Sequence, residues 1–324
     1  MRPQNTNDKP PPRDFREEVT NDIIKLLEQG TAPWQRPWDE VAAGGMPVNP
    51  TTDKFYRGGN VIALMISEMQ HGFTDARWMT YKQASEKGWQ VRKGERGTRI
   101  EFWEPKSGSK DPNADDDEKH NRLVHRIYTV FNAEQIDGIP QMPKKAREEW
   151  EVCEAGEKVL KDSGADIRYG GNRAYYRRDT DHIQLPPREV FKDASGFYGT
   201  ATHELMHWTG SEKRLNRETL TKSKGISADD ANYARDELVA EIGSMMLGAE
   251  TGIPHDPSQH AAYVQSWIKA LKNDKNEIFR AASAASKACD FILGKDRAID
   301  SPQPTEGPYA AAVSASRSNE SRAL

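Results

Sequence analysis

The chain has 324 residues, 35% of them hydrophobic and 30% charged, with a formal net charge of -4. That length accommodates two domains, each with its own core, and the charge gives no global attraction to nucleic acid, so any such binding must come from a local surface. No apolar run approaches the roughly eighteen residues that span a bilayer, and the N-terminus lacks a secretory core. Cys153 and Cys289 are too few and too far apart for a disulfide framework or a thiolate zinc site, so the expected location is the cytoplasm, without membrane contact.

Residues 1–13 hold almost nothing to bury and predict a tail. Phe15, Val19, Ile23, Ile24, Leu26 and Leu27 recur at helical spacing, and Gly30 closes that helix. A second helix, over residues 60–69, is apolar enough to form the core of this half. Between Arg77 and Arg99, seven basic residues stand against two acidic ones, a local charge of +5, and five of the eight tryptophans fall between positions 34 and 103. Cations that track phosphates, interleaved with rings on which bases stack, are the mixture that binds single-stranded nucleic acid. The bland alternative is that the tryptophans are core and the cations solubilise a sheet edge. The tight turn over residues 92–97 suits backbone contact and reads no bases. Two strands follow, at residues 98–103 and 124–131, joined by a solvated excursion containing Asp111, Asp115, Asp116, Asp117 and Glu118.

Residues 139–145 are punctuated by proline and predict a linker, which closes a first domain over residues 14–138. The second domain, residues 146–296, opens with a helix to about Lys161. Strand-like runs follow near residues 167–169, 174–176 and 181–186, and a Ser, Ala and Pro rich tail occupies 297–324. The order is that of an α+β fold in two domains. An edge strand beside a metal could hold an extended peptide by backbone pairing.

His203-Glu204-Leu205-Met206-His207 places two imidazoles one helical turn apart, where both can share a zinc ion, and puts Glu204 beside them as a general base for a zinc-bound water. Thr202 before the motif and Gly210 after it suggest a short, half-buried helix. A third ligand is needed. Gly210 fits the metzincin pattern, but Lys213 stands where that pattern requires histidine. A second helix beginning near Tyr233 offers Glu237 and Glu241, again one turn apart. Glu237 is assigned as ligand and Glu241 as the acceptor for the far ring nitrogen of a zinc histidine; the reverse order and Asp236 are the alternatives. Two nitrogens, one oxygen and an open position favour Zn2+, with Mn2+ or Co2+ able to occupy the same ligands in vitro. Tyr198, Tyr233 and Tyr263 are candidate oxyanion donors, none preferred, and His182, His255 and His260 read as surface or turn residues.

Several stretches together resemble the ArdC-type antirestriction proteins of conjugative plasmids, which join an N-terminal domain shared with TraC-type primases to a C-terminal zincin-like metallopeptidase domain. They are residues 32–38, 47–50, 56–60, 77–80, 88–95 and 131–135 in the first half, and 171–176, 181–186 and 203–210 in the second. The resemblance covers about 14 to 295. It implies an α+β single-stranded-DNA-binding domain without sequence specificity followed by a zincin-like domain, and protection of incoming plasmid DNA in a recipient cell. The residues expected to contact DNA are Trp34, Arg36, Trp38, Tyr56, Arg57, Arg77, Trp78, Lys82, Trp89, Arg92, Lys93, Arg96 and Arg99. One reading is a metallopeptidase acting on a protein met at DNA; the alternative is a non-catalytic protein that coats single strands, its metal structural. A third makes the basic half a protein-docking module.

Overall fold

The computed structural model describes residues 13–35, 45–105, 123–141, 149–224, 227, 230–253 and 261–295. Both expected tails, the acidic excursion and most of the expected linker therefore lie outside the described residues. The first half runs α1 (Phe15–Glu28), β1 (Val48–Asn49), β2 (Lys54–Phe55), α2 (Gly59–His71), β3 (Trp78–Thr80), α3 (Tyr81–Glu86), β4 (Gln90–Val91), β5 (Thr98–Pro105), β6 (Leu123–Asn132) and β7 (Ile136–Asp137). The second runs α4 (Glu149–Ser163), β8 (Asp166–Tyr169), β9 (Tyr175–Arg177), β10 (His182–Leu185), α5 (Ala194–Thr209), α6 (Glu218–Thr221), α7 (Ala231–Thr251), α8 (Val264–Asn273) and α9 (Glu277–Ile292). The fold is α+β, as the element order predicts.

Asp14 starts α1 by accepting from the backbone N–H of Arg16 and Glu17 at 3.0 and 3.2 Å, with Glu17 and Glu18 in the first turn where the helix dipole favours negative charge. The expected hairpin forms, with β5 and β6 antiparallel and Ile100 opposite Tyr128. It joins β3 in the sheet order β3-β6-β5, so β5 is an edge among the described residues. Asn60 clamps α2 onto this edge, donating to Glu101 O at 2.8 Å and accepting from Glu101 N at 2.9 Å. In the second half, β10 lies between a parallel β8 and an antiparallel β9.

The core departs from expectation. Instead of one core per domain, a continuous apolar cluster runs from Phe15, Ile23 and Leu27 of α1 through Trp34, Val61 and Met65 to Leu205, Leu238, Ile242, Phe279 and Ala285 of the second half. The reason is that α1 finds its apolar partner on the late helices: Phe15 meets Phe279 edge-on at 5.9 Å, and Thr20 Oγ1 donates to Lys275 O at 2.8 Å. Helix α2 is apolar on most of its circumference and divides its burial, sending Leu64 against Trp78, Ile100 and Val130 while its other side joins the shared core. Polar contacts close the seam: Arg57 Nη1 donates to Asp290 at 2.8 Å, and Gly58 N donates to Ser286 Oγ at 3.0 Å.

At Gly59 the approach of α2 to α9 is so close that a Cβ would lie 2.1 Å from Cδ1 of Phe279. Gly59→Ala therefore overpacks the seam and should destabilise the protein by about 1–3 kcal/mol. Because both halves share the core, urea unfolding followed by tryptophan fluorescence and by far-UV circular dichroism should show one coincident transition that moves as a whole. Two separated transitions, only one of them shifted, would contradict the shared core.

Candidate metal centre

Helix α5 begins at Asp193, whose side chain accepts from Gly196 N at 2.8 Å, and is buried almost continuously from Phe197 to Thr209. It is thus longer and deeper than the short, half-buried helix expected. Helix α7 begins with Asp230 accepting from Asn232 N and Tyr233 N at 2.9 and 3.1 Å. The two helices touch where Gly243 meets Met206; a Cβ there would sit 2.6 Å from the methionine sulfur. That contact lays the acidic face of α7 along the imidazoles of α5.

The result is a buried group of His203, His207 and Glu237 whose ligand atoms all lie within 4.8 Å of one another. The two Nε2 atoms are 3.1 Å apart, and the Glu237 carboxylate straddles them, Oε2 at 3.4 Å from His203 Nε2 and Oε1 at 3.4 Å from His207 Nε2. Each ring has its other nitrogen on a carboxylate of α7: His203 Nδ1 is 3.3 Å from Glu241 and His207 Nδ1 is 2.7 Å from Asp236. Both rings therefore turn Nε2 toward one shared point, with Nδ1–H directed outward, as metal-binding imidazoles do. Two imidazole nitrogens and one carboxylate fit a divalent ion of the zinc or manganese kind.

Asp236 is fully buried and held from behind. Arg217 Nε and Nη2 donate to it at 2.5 and 3.1 Å and Thr219 Oγ1 at 2.7 Å. Burial alone would raise its pKa, but Arg217 and His207 outweigh burial and hold it well below the usual carboxylate range. Burial would likewise lower the His207 pKa, yet Glu237 and Asp236 raise it well above its ordinary value. The site is built to hold positive charge. Gly210 makes room for the Arg217 brace, since a Cβ there would lie 2.7 Å from the guanidinium.

Glu204 is only 9% exposed on the same helix, and its charge is felt by two phenols. Burial first, then Glu237 and Glu204, push the Tyr263 hydroxyl up to about 12; burial and Glu237 raise Tyr233 further. The Tyr233 ring stacks on His207 at 5.9 Å. Of the three tyrosines named from the sequence, these two border the centre, whereas Tyr198 donates to Glu157 at 2.6 Å. His182 is buried against Thr180, correcting its reading as a surface residue, and His255 and His260 lie outside the described residues.

Sequence reasoning weighed Asp236 only as a ligand and did not find Arg217 or Thr219. Asp236 follows from helical geometry only once the rotation of α7 is known. No spacing signal links Arg217 to it.

The expected DNA-contact residues scatter. Trp34, Trp78 and Arg77 are corrected to core positions: the two rings are fully buried, and Arg77, 2% exposed, donates to Asp75 and to Pro140 O. Trp78 Nε1 donates to Glu68 at 2.8 Å, and Tyr56 donates its hydroxyl to Trp78 O at 2.9 Å. Arg57 is committed to Asp290 across the seam, Arg99 to Glu18, and Arg92 to Glu95 at 2.8 Å. Trp89 is half-buried on a small cluster with Val91 and Ile136, and exposed Lys82 lies 3.7 Å from Glu86. Lys93 and Arg96 are exposed, and Arg36 and Trp38 lie outside the described residues.

Residues 13–131 match a family described as the N-terminal domain of anti-restriction factor ArdC, and residues 154–284 one described as zincin-like metallopeptidase. Two DNA primases TraC of Escherichia coli are 46% and 45% identical over 90% and 87% of the chain, which spans only 28% and 20% of those primases. An uncharacterised protein of Sinorhizobium fredii, y4eC, is 37% identical over 89% of this chain and 94% of its own. Among solved structures, the metal-free antirestriction ArdC protein from R388 plasmid superposes with a TM-score of 0.70 at 38% identity, covering 87% of this chain and 98% of that one. The Mn(II)-bound form of the same ArdC gives 0.69 with the same identity and coverage. With both halves matched in order and nearly the whole of ArdC covered, the chain belongs to the ArdC-type antirestriction family.

Proposed function

We propose that this protein binds single-stranded DNA without sequence specificity through its N-terminal half and hydrolyses peptide bonds at the centre on α5 and α7, protecting incoming plasmid DNA in the recipient cytoplasm. The observation that carries the hydrolytic reading is the convergence of His203 Nε2, His207 Nε2 and the Glu237 carboxylate, with buried Glu204 next to His203 in the same helix. His203, His207 and Glu237 would hold the ion, Zn2+ by the chemistry of the donor set, with Mn2+ or Co2+ as substitutes. A divalent ion there would polarise a scissile carbonyl and acidify a water molecule.

The chain's own groups do the rest. Asp236 accepts the Nδ1 proton of His207, and Glu241 lies 3.3 Å from Nδ1 of His203, so the carboxylates of α7 favour Nε2 lone pairs directed at the ion, a role whose loss typically weakens metal binding 10–100-fold. Glu204 takes a proton from the attacking water and passes it to the leaving amine. Among the described residues β9 is an edge of its sheet and packs on α5, where an extended substrate could pair with it, so the proposed substrate is a protein met at the DNA. A purely structural metal, as in a protein that only coats single strands, would normally have four protein ligands and no use for Glu204.

His207→Ala should abolish stoichiometric zinc uptake, and Asp236→Asn should weaken it roughly 10–100-fold, measured by competition with a chromophoric chelator. Equal affinity in Asp236→Asn and wild type would refute the orienting role of Asp236. Glu204→Ala should leave zinc and DNA binding intact while peptide cleavage falls by about 100-fold or more. If the same variant still protects plasmid DNA during conjugation, proteolysis is not the means of protection.

A further inference from the structure

Stacking needs an exposed ring, and phosphate contact needs cations that no carboxylate neutralises; the fold brings both together around β4. We propose that single-stranded DNA is held on the outer face of β4, its bases stacking on Tyr81 and its phosphates meeting Lys93 and Arg96. The inference rests on the single-strand reading above and adds the surface that performs it. Tyr81 opens α3 and is 53% exposed. Its backbone is fixed by the capping box before it, in which Gln83 N donates to Thr80 Oγ1 at 3.2 Å and Thr80 N donates to Gln83 Oε1 at 2.9 Å. Its ring is fixed from the other end, where the hydroxyl accepts from Gln90 Nε2 at 3.3 Å.

That last bond joins α3 to β4 and makes the surface continuous. Val91 turns inward to the small core of Met79, Ala84 and Ile136, so its neighbours Gln90 and Arg92 both stand on the outer face. The turn that follows is pinned to the segment after β6: Arg92 N donates to Gln135 O, and Gln135 Nε2 donates to Glu95 and to Arg96 O, each at 3.0 Å. Lys93 and Arg96 are thus presented on a fixed platform, with roughly 10 Å of backbone between Gln90 and Lys93.

Pairing decides which charges are left for a ligand. Glu86 lies 3.7 Å from Lys82, Glu95 and Asp137 lie 2.8 and 3.5 Å from Arg92, and the Glu134 carboxylate accepts from Thr74 N and Asp75 N. Lys93 and Arg96 have no ion-pair partner among the described residues. Gln90 spends its amide hydrogens on Tyr81 and on Val91 O, so it donates none to a base. A ring for stacking and two cations for phosphates, with no donor aimed at base edges, suit a single strand of any sequence.

The test uses the full-length protein and a fluorescein-labelled oligothymidylate, read by anisotropy across a salt series. Tyr81→Ala should bind roughly ten- to a hundredfold more weakly, while its unfolding midpoint and zinc content stay those of the wild type. Tyr81→Phe keeps the stacking face and should bind within about threefold of wild type. Lys93→Ala with Arg96→Ala should lower the slope of log K against log salt by about 1 to 2. An oligothymidylate carrying 5-iododeoxyuridine should crosslink on irradiation to the peptide that contains Tyr81, and this readout decides the case if Tyr81→Ala also lowers the unfolding midpoint. Wild-type binding with Tyr81→Ala unaffected, or with crosslinks confined to other peptides, would overturn this surface and leave the single-strand reading standing; no binding by the wild type would overturn both.

Discussion

The contact of α5 with α7 at Met206 and Gly243 governs the chemistry of this protein. It brings Asp236, Glu237 and Glu241 into a buried space with His203, His207 and Arg217. Carboxylates in such surroundings cost several kcal/mol each unless they are paired, and here the pairing is specific: Asp236 with Arg217 and His207, Glu237 between the two Nε2 atoms, Glu241 behind His203. A one-residue slip of α7 would rotate its acidic face by about 100° and leave these charges buried without partners. The helices are therefore held in register by the electrostatics they create.

The same helices form the floor on which the N-terminal half stands. Helix α9 packs on α7 and α5 on one side and on α2 on the other, with Phe279 meeting both Phe15 and Gly59. Arg16 spans the seam in miniature, bonding Glu101 of the hairpin and Asn276 at the head of α9 while its guanidinium lies over the Phe279 ring. The aromatic tip of β5 and the metal-facing helices thus belong to one packed frame.

Much of the centre was legible before any coordinates. His203 and His207, like Glu237 and Glu241, recur four apart, and one helical turn puts such residues on one face whatever surrounds them. Asp236 was weighed only as a ligand, and its place behind His207 escaped because a neighbour in sequence points about 100° away, so only the packing of α7 decides whether that direction is solvent or the back of an imidazole. Arg217 escaped because it reaches Asp236 across 19 positions from a loop with no periodicity. The nucleic-acid half was less legible still. Trp78 and Trp103 are equivalent by composition, yet one is sealed under Glu68 and Leu64 and the other stands half-exposed at a hairpin tip.

By itself, then, the order of residues determined what local geometry determines: the helices and strands, the two matched halves, the chelating pair and the acid beside it. The tertiary structure alone decided the large core shared by both halves, the bracing of His207 through Asp236 and Arg217, and which cations and rings are buried or paired. The physical reason is range. Helical and strand periodicities act over a few residues, whereas burial and charge pairing depend on which distant segments the chain brings together.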